Sequence, residues 1–159
     1  MNEELESLVS VAKPTVDHEM LNGQIEEPSA FLELEDEVKQ RIPQWLAMML
    51  TKYAIGGLII RFHTKDGQEM AIQFNTFGDI SDYWLEVTPG DRMARLGYIA
   101  IGDDPTTDGK AYFIHPDHGD NPPVYAIKNI DFETEEDIIR YGAILVAHQL
   151  SDVFSRQLL

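Results

Sequence analysis

Residues 58–74 alternate apolar and polar side chains around a Lys65-Asp66-Gly67 turn, and this hairpin signal limits the fold more than any other feature of the chain. Leu58, Ile60 and Phe62 alternate with Ile59, Arg61 and His63, and Met70, Ile72 and Phe74 follow the turn. With Thr64 and Gln68 flanking that turn, Phe62 faces Met70 and Ile60 faces Ile72. A slip of one residue would carry every apolar side chain of the second strand to the opposite face, so the pattern specifies its own register. A chain built round such a hairpin must contain antiparallel sheet.

Helices and further strands surround it. From Phe31, the residues Leu34, Val38 and Ile42 recur at helical spacing, and Pro43 ends that helix and opens another. The helix predicted over 43–54 is apolar nearly all round, with Trp45, Leu46, Met48, Met49, Leu50 and Tyr53, as suits burial between layers; Gly56-Gly57 stops it. A short helix over 79–87 carries Tyr83 and Trp84 and ends at Pro89-Gly90. Strands are predicted over 97–101, 110–114 and 124–128, separated by loops rich in Asp, Gly and Pro. The first two have apolar residues at both parities, which predicts a sheet covered on both faces.

Thr134 and Asp137 approximate a capping box, and Ile139, Ala143, Val146, Leu150 and Val153 continue as one stripe, so a single helix is predicted over 135–157. The expected fold class is α+β, a twisted, mostly antiparallel sheet of about five to six strands packed against helices, with a long C-terminal helix. Lys13-Pro14, Asn22-Gly23 and Glu26-Glu27-Pro28 are breakers, so residues 1–30 read as an acidic, partly ordered arm and residues 31–159 as one domain.

Twelve basic residues against 28 acidic ones give a net charge of −16, which repels nucleic acid and anionic lipid. Residues 1–40 hold 11 acids and 2 bases, a net of −9. The lack of cysteine excludes disulfides, thiolate metal sites and cysteine nucleophiles. No apolar run approaches the ~20 residues a bilayer span needs. The start MNEELESLVS lacks the basic end and apolar core of a signal peptide. A cytoplasmic protein that neither enters a membrane nor follows a secretory signal is expected.

His115-Pro116-Asp117-His118 places two imidazoles and a carboxylate within four residues, and with His63 it would furnish a small metal-dependent hydrolase. Pro116 and Gly119 imply a loop, however, and the hairpin register pairs His63 with Glu69, so no complete ligand set is expected. Asp103-Asp104-Pro105-Thr106-Thr107-Asp108-Gly109 has its glycine where a calcium loop demands one, but counted from Asp104 the third position is Thr106 and His115 falls where a bidentate Glu is required. No nucleophile elbow or phosphate-binding glycine pattern is present. The reading is a protein without catalytic residues, metal or cofactor, which binds another protein as a monomer or weak dimer. Its expected contact residues are the aromatics Tyr83 and Trp84 and the loop acids Asp103, Asp104, Asp108, Asp117 and Asp120. A different binding module of similar composition, the acidic secretion chaperone, would instead form an obligate dimer around an extended client.

Several segments together resemble the SUKH superfamily, named partly for a yeast regulator of cell-wall glucan synthesis. They are Ile42-Pro43-Gln44-Trp45-Leu46, the run from Tyr98 to Asp104, Ala111-Tyr112-Phe113-Ile114, the run from Pro123 to Ile127, and the run from Val146 to Phe154; together they lie within residues 31–159. The resemblance implies a twisted antiparallel sheet backed by helices. For bacterial members it implies an immunity protein that blocks a toxin, often a nuclease; other members are regulators or interaction modules. This chain departs from the pattern where Gly56-Gly57 replaces an Asn-Gly pair and where Asp108-Gly109-Lys110 replaces a Gly-Asp step.

Overall fold

The computed structural model describes residues 1–14, 22–106 and 110–158. Four helices come first: α1 (Glu3–Val9), α2 (Pro28–Leu32), α3 (Asp36–Arg41) and α4 (Gln44–Lys52). The hairpin β1 (Ile59–His63) and β2 (Glu69–Phe74) follows, then α5 (Phe77–Leu85), α6 (Gly90–Ala94), β3 (Ile99–Asp103), β4 (Ala111–Ile114) and β5 (Val124–Ile127). A short α7 (Glu135–Asp137) runs through a π-turn (Ile138–Gly142) into β6 (Ala143–Ala147), and α8 (Leu150–Ser155) closes the chain. The result is α+β, with one six-stranded antiparallel sheet whose spatial order equals its chain order.

The hairpin has the register its alternation demands, with Phe62 opposite Met70, Ile60 opposite Ile72 and His63 opposite Glu69. One face of the sheet presents Ile60, Phe62, Ile72, Phe74, Ile101 and Tyr112 to α1, α4 and α8. On the other face Met93, Ala100, Phe113, Ile127 and Ile138 form a smaller cluster, so the central strands are covered on both sides as their apolar parities require. Where β2 and β3 diverge beyond Gln73 and Asp103, the buried Tyr112 hydroxyl reaches from β4 and donates to the Ala71 carbonyl at 2.7 Å. A backbone acceptor that the ladder has abandoned is thereby satisfied from the side-chain layer.

The single long helix predicted over 135–157 does not form. Its Thr134 cap is present, the hydroxyl oxygen accepting from the Asp137 amide at 3.2 Å, but α7 lasts one turn and residues 143–147 become an edge strand paired with β5. Gly142 makes the change of direction. Its carbonyl accepts from Lys128 and Asn129, and a Cβ there would sit 2.0 Å from the Asn129 carbonyl oxygen. The C-terminal helix is therefore only α8, six residues long, and its N-terminus is capped from a distance by Asn121, which accepts from the Ser151 amide and donates to the Ser151 hydroxyl, both at 2.9 Å. The helix predicted from Phe31 is likewise two short ones, α2 and α3, separated at residues 33–35.

The N-terminal residues contribute to the main core. Leu5 and Val9 of α1 are buried against α8, and Glu6 accepts from Lys52 at 2.8 Å and from the Tyr53 hydroxyl at 2.7 Å. Gln24 bridges to Gly56, and the buried Glu26 carboxylate accepts the Phe77 amide at 2.8 Å at the start of α5. At the other end, Gln157 forms a bridge to Phe62, while His63 and Leu158 exchange backbone bonds with Arg156 and Arg61, so the outer edge of β1 is covered by the chain itself.

Candidate functional site

The residues singled out from sequence fall into three places. Tyr83 and Asp103 meet: α5 begins at a full capping box between Thr76 and Asp79, and it carries the Tyr83 hydroxyl onto the Asp103 carboxylate at the end of β3. Burial pushes the Asp103 carboxyl above its ordinary value; the Tyr83 hydrogen bond opposes this and the Asp79 charge reinforces it. The Tyr83 phenol is itself raised, by burial first and by the Asp103 bond second. Asp104 turns the other way. Its Oδ1 accepts from the Thr106 amide at 2.8 Å and hydroxyl at 2.6 Å, and its Oδ2 from Lys110 at 3.1 Å. Burial raises this carboxyl, but the Thr106 and Lys110 bonds outweigh burial and hold it below the usual range.

Trp84, the next residue on α5, points toward α3 and donates its indole N–H to Glu37 at 2.9 Å. Both aromatics are half-buried, with their polar atoms bonded inside the fold. Asp117 and Asp120 are exposed in the turn after β4, at the opposite end of the β3–β4 pair from Asp103 and Asp104. Asp108 lies outside the described residues.

The histidines do not assemble as a hydrolase would need. His63 stays on β1 opposite Glu69, at the far edge of the sheet, while His115 contacts the Leu96 carbonyl at 3.1 Å and accepts from the Asp117 amide at 3.1 Å. Tyr98 stands edge-on to the His115 ring at 4.9 Å, and the His115 and His118 rings are 4.9 Å apart, so these groups form an aromatic cluster. Among the described residues no three His, Asp or Glu side chains gather where they could hold a metal ion.

Two concavities that sequence reasoning missed lie elsewhere. One, of about 370 Å³, runs between Pro28, Phe31 and Leu32 of α2 and Gln44, Ala47 and Met48 of α4. Pro28 at the first helical position starts α2, and Phe31 anchors it with its ring 5.5 Å from that of Phe77. The adjacent Leu32 is then left 68% exposed and Met48 38% exposed. Glu27 and Glu33, at the two ends of α2, and Glu35 just beyond are exposed and form no ion pair among the described residues. The signal for this groove was the all-round apolar character of residues 44–52, a helix whose sequence provides more apolar face than one layer covers. The second, of about 480 Å³, separates the β1–β2 turn from β6 and is lined by Thr64, Lys65, Ile144, Leu145 and His148 among others.

Fold and surface together define an antiparallel α+β domain with an acid-flanked apolar groove. Compared with family models, with curated proteins and with solved structures, the chain matches none. Among the described residues no helix is long and apolar enough to cross a membrane.

Proposed function

We propose that this chain is a non-catalytic cytoplasmic protein-binding domain of the immunity kind, which neutralises a toxin by masking its active site. The observation that carries the reading is the exposed groove between α2 and α4, with Leu32 and Met48 open to solvent beside carboxylates that have no cationic partner among the described residues. Exposed apolar surface rimmed by polar groups marks a place where another protein sits. The charge adds direction. At −16 the chain attracts basic surfaces and repels polyanions, and such charge speeds encounter more than it fixes final affinity. A toxin that acts on nucleic acid surrounds its active site with basic groups, and an acidic protein laid over them takes the place of phosphate. The SUKH-like segments within residues 31–159 support the same reading.

Co-expression with a toxin encoded beside this chain tests it: growth is expected to be restored, and a folded, expressed chain that leaves the toxin active would overturn the proposal. Stopped-flow association of the two purified proteins is expected to slow by about tenfold or more as salt rises, because steering operates over the Debye length.

A further inference from the structure

We infer that the groove between α2 and α4 is the seat of a basic amphipathic helix, an assignment that rests on the protein-binding reading above and names its partner element. Three observations select this occupant. The groove floor is apolar and made by side chains of two helices, with Phe31 held in place by Phe77 and Leu32 and Met48 left uncovered. Helix walls present no free sheet edge, so an incoming segment finds no backbone partners there and must satisfy its own amides and carbonyls, as a helix does. Methionine in the wall adapts its flexible thioether to apolar side chains of varied shape.

Charge then decides between partners. Glu27 and Glu33 stand at either end of α2 and Glu35 follows, all exposed, while Lys39 of α3 is already bonded to Asp36 and to the Leu32 carbonyl. A second copy of this chain would bring its own Glu27 and Glu33 toward these carboxylates and add its own charge of −16. A helix carrying Lys or Arg beside an apolar stripe meets the rim with complementary sign. The seat therefore favours basic helices over both acidic ones and self-association.

The test uses the full chain and two synthetic 18-residue peptides of equal Leu and Lys content, one with Leu at helical i, i+3, i+4 spacing and one scrambled. Fluorescence anisotropy is expected to give at least tenfold tighter binding of the amphipathic peptide, with the Met48 methyl resonance shifting on its addition. Leu32→Asn is expected to weaken binding at least tenfold, and Glu27→Gln with Glu33→Gln to flatten its salt dependence. Leu32 is exposed, so the variant keeps its fold, which circular dichroism checks. Equal affinity for both peptides, no binding of either, or full affinity in Leu32→Asn would overturn the proposal, as would a dimer in sedimentation that Leu32→Asn dissociates. Toxin neutralisation that persists when peptide binding fails would separate this failure from failure of the immunity reading.

Discussion

Glu26 shows how much one side chain of this fold can be asked to do. Its carboxylate is buried, accepts the Phe77 amide at 2.8 Å and the Gln24 side chain at 3.3 Å, and so ties the segment before α2 to the first turn of α5. Glu26→Ala leaves the Phe77 N–H without an acceptor and is expected to cost about 1–3 kcal/mol, while Glu26→Gln, which keeps a carbonyl oxygen, costs less; urea denaturation of both variants measures the difference. The neighbours Asp103 and Asp104 respond to pH with opposite sign. The folded Asp104 carboxyl titrates below its ordinary value of 3.8, so its contribution is complete above that value and is lost as pH falls through the depressed one. The folded Asp103 carboxyl titrates above 3.8, so its contribution exists below that value and is lost as pH rises through the raised one. At neutral pH Asp104→Asn is therefore expected to destabilise by about 1.5–3 kcal/mol. Asp103→Asn, which retains an acceptor for Tyr83, is expected to be neutral or stabilising. Denaturant midpoints measured from pH 7 down to pH 3 check both, and a loss of neutral-pH stability in Asp103→Asn would refute the assignment.

At the scale of elements, the junction between α7 and β6 rests on Gly142. Gly142→Ala drives a Cβ into the Asn129 backbone, which cannot yield as a flexible side chain would, and is expected to cost about 1–3 kcal/mol or more by thermal unfolding. That glycine was also the legible warning against a continuous helix, since a glycine within a helix costs about 1 kcal/mol relative to alanine. The stripe of Ile139, Ala143, Val146, Leu150 and Val153 fits a helix, yet over five residues Ala143–Ala147 fits a strand as well, with Val146 buried and Leu145 exposed. The open edge of β5 decided between them, and no local pattern announces where an open edge will lie. The hairpin β1–β2 was readable to the residue because both partners and the turn lie within one short run. The groove was not readable, because exposure of Met48 depends on which face of α4 its distant neighbours cover. For the same reason the breakers at 13–14 and 22–28 suggested an arm, while the partner of α1, which is α8, lies at the other end of the sequence.

For the molecule as a whole, the acidic N-terminal segment and the core cannot be separated cleanly. Leu5 is fully buried, and Leu5→Ala is expected to destabilise by about 2–5 kcal/mol through lost transfer energy and the cavity left behind, measured by denaturant unfolding. Removing residues 1–28 strips Leu5, Val9 and Glu26 together and is expected to leave a chain with a broadened, non-cooperative transition; retention of a sharp two-state transition would show that α1 is dispensable. Truncation is thus a poor way to ask whether the charge of residues 1–40 serves binding, and charge-neutralising substitutions at exposed acids such as Glu27 and Glu33 are the cleaner route.

The packing of α1 on α8 also sets an order of events on the ribosome. The meander from β1 to β6 can zip strand by strand as it emerges, each strand finding its predecessor already in place. Helix α1 has to wait for α8: until residues 150–155 are outside the exit tunnel, Leu5 and Val9 have no α8 to cover them. Until then the apolar side chains of Leu5 and Val9 lie uncovered, and that interval is when chaperones have their opening to engage the segment.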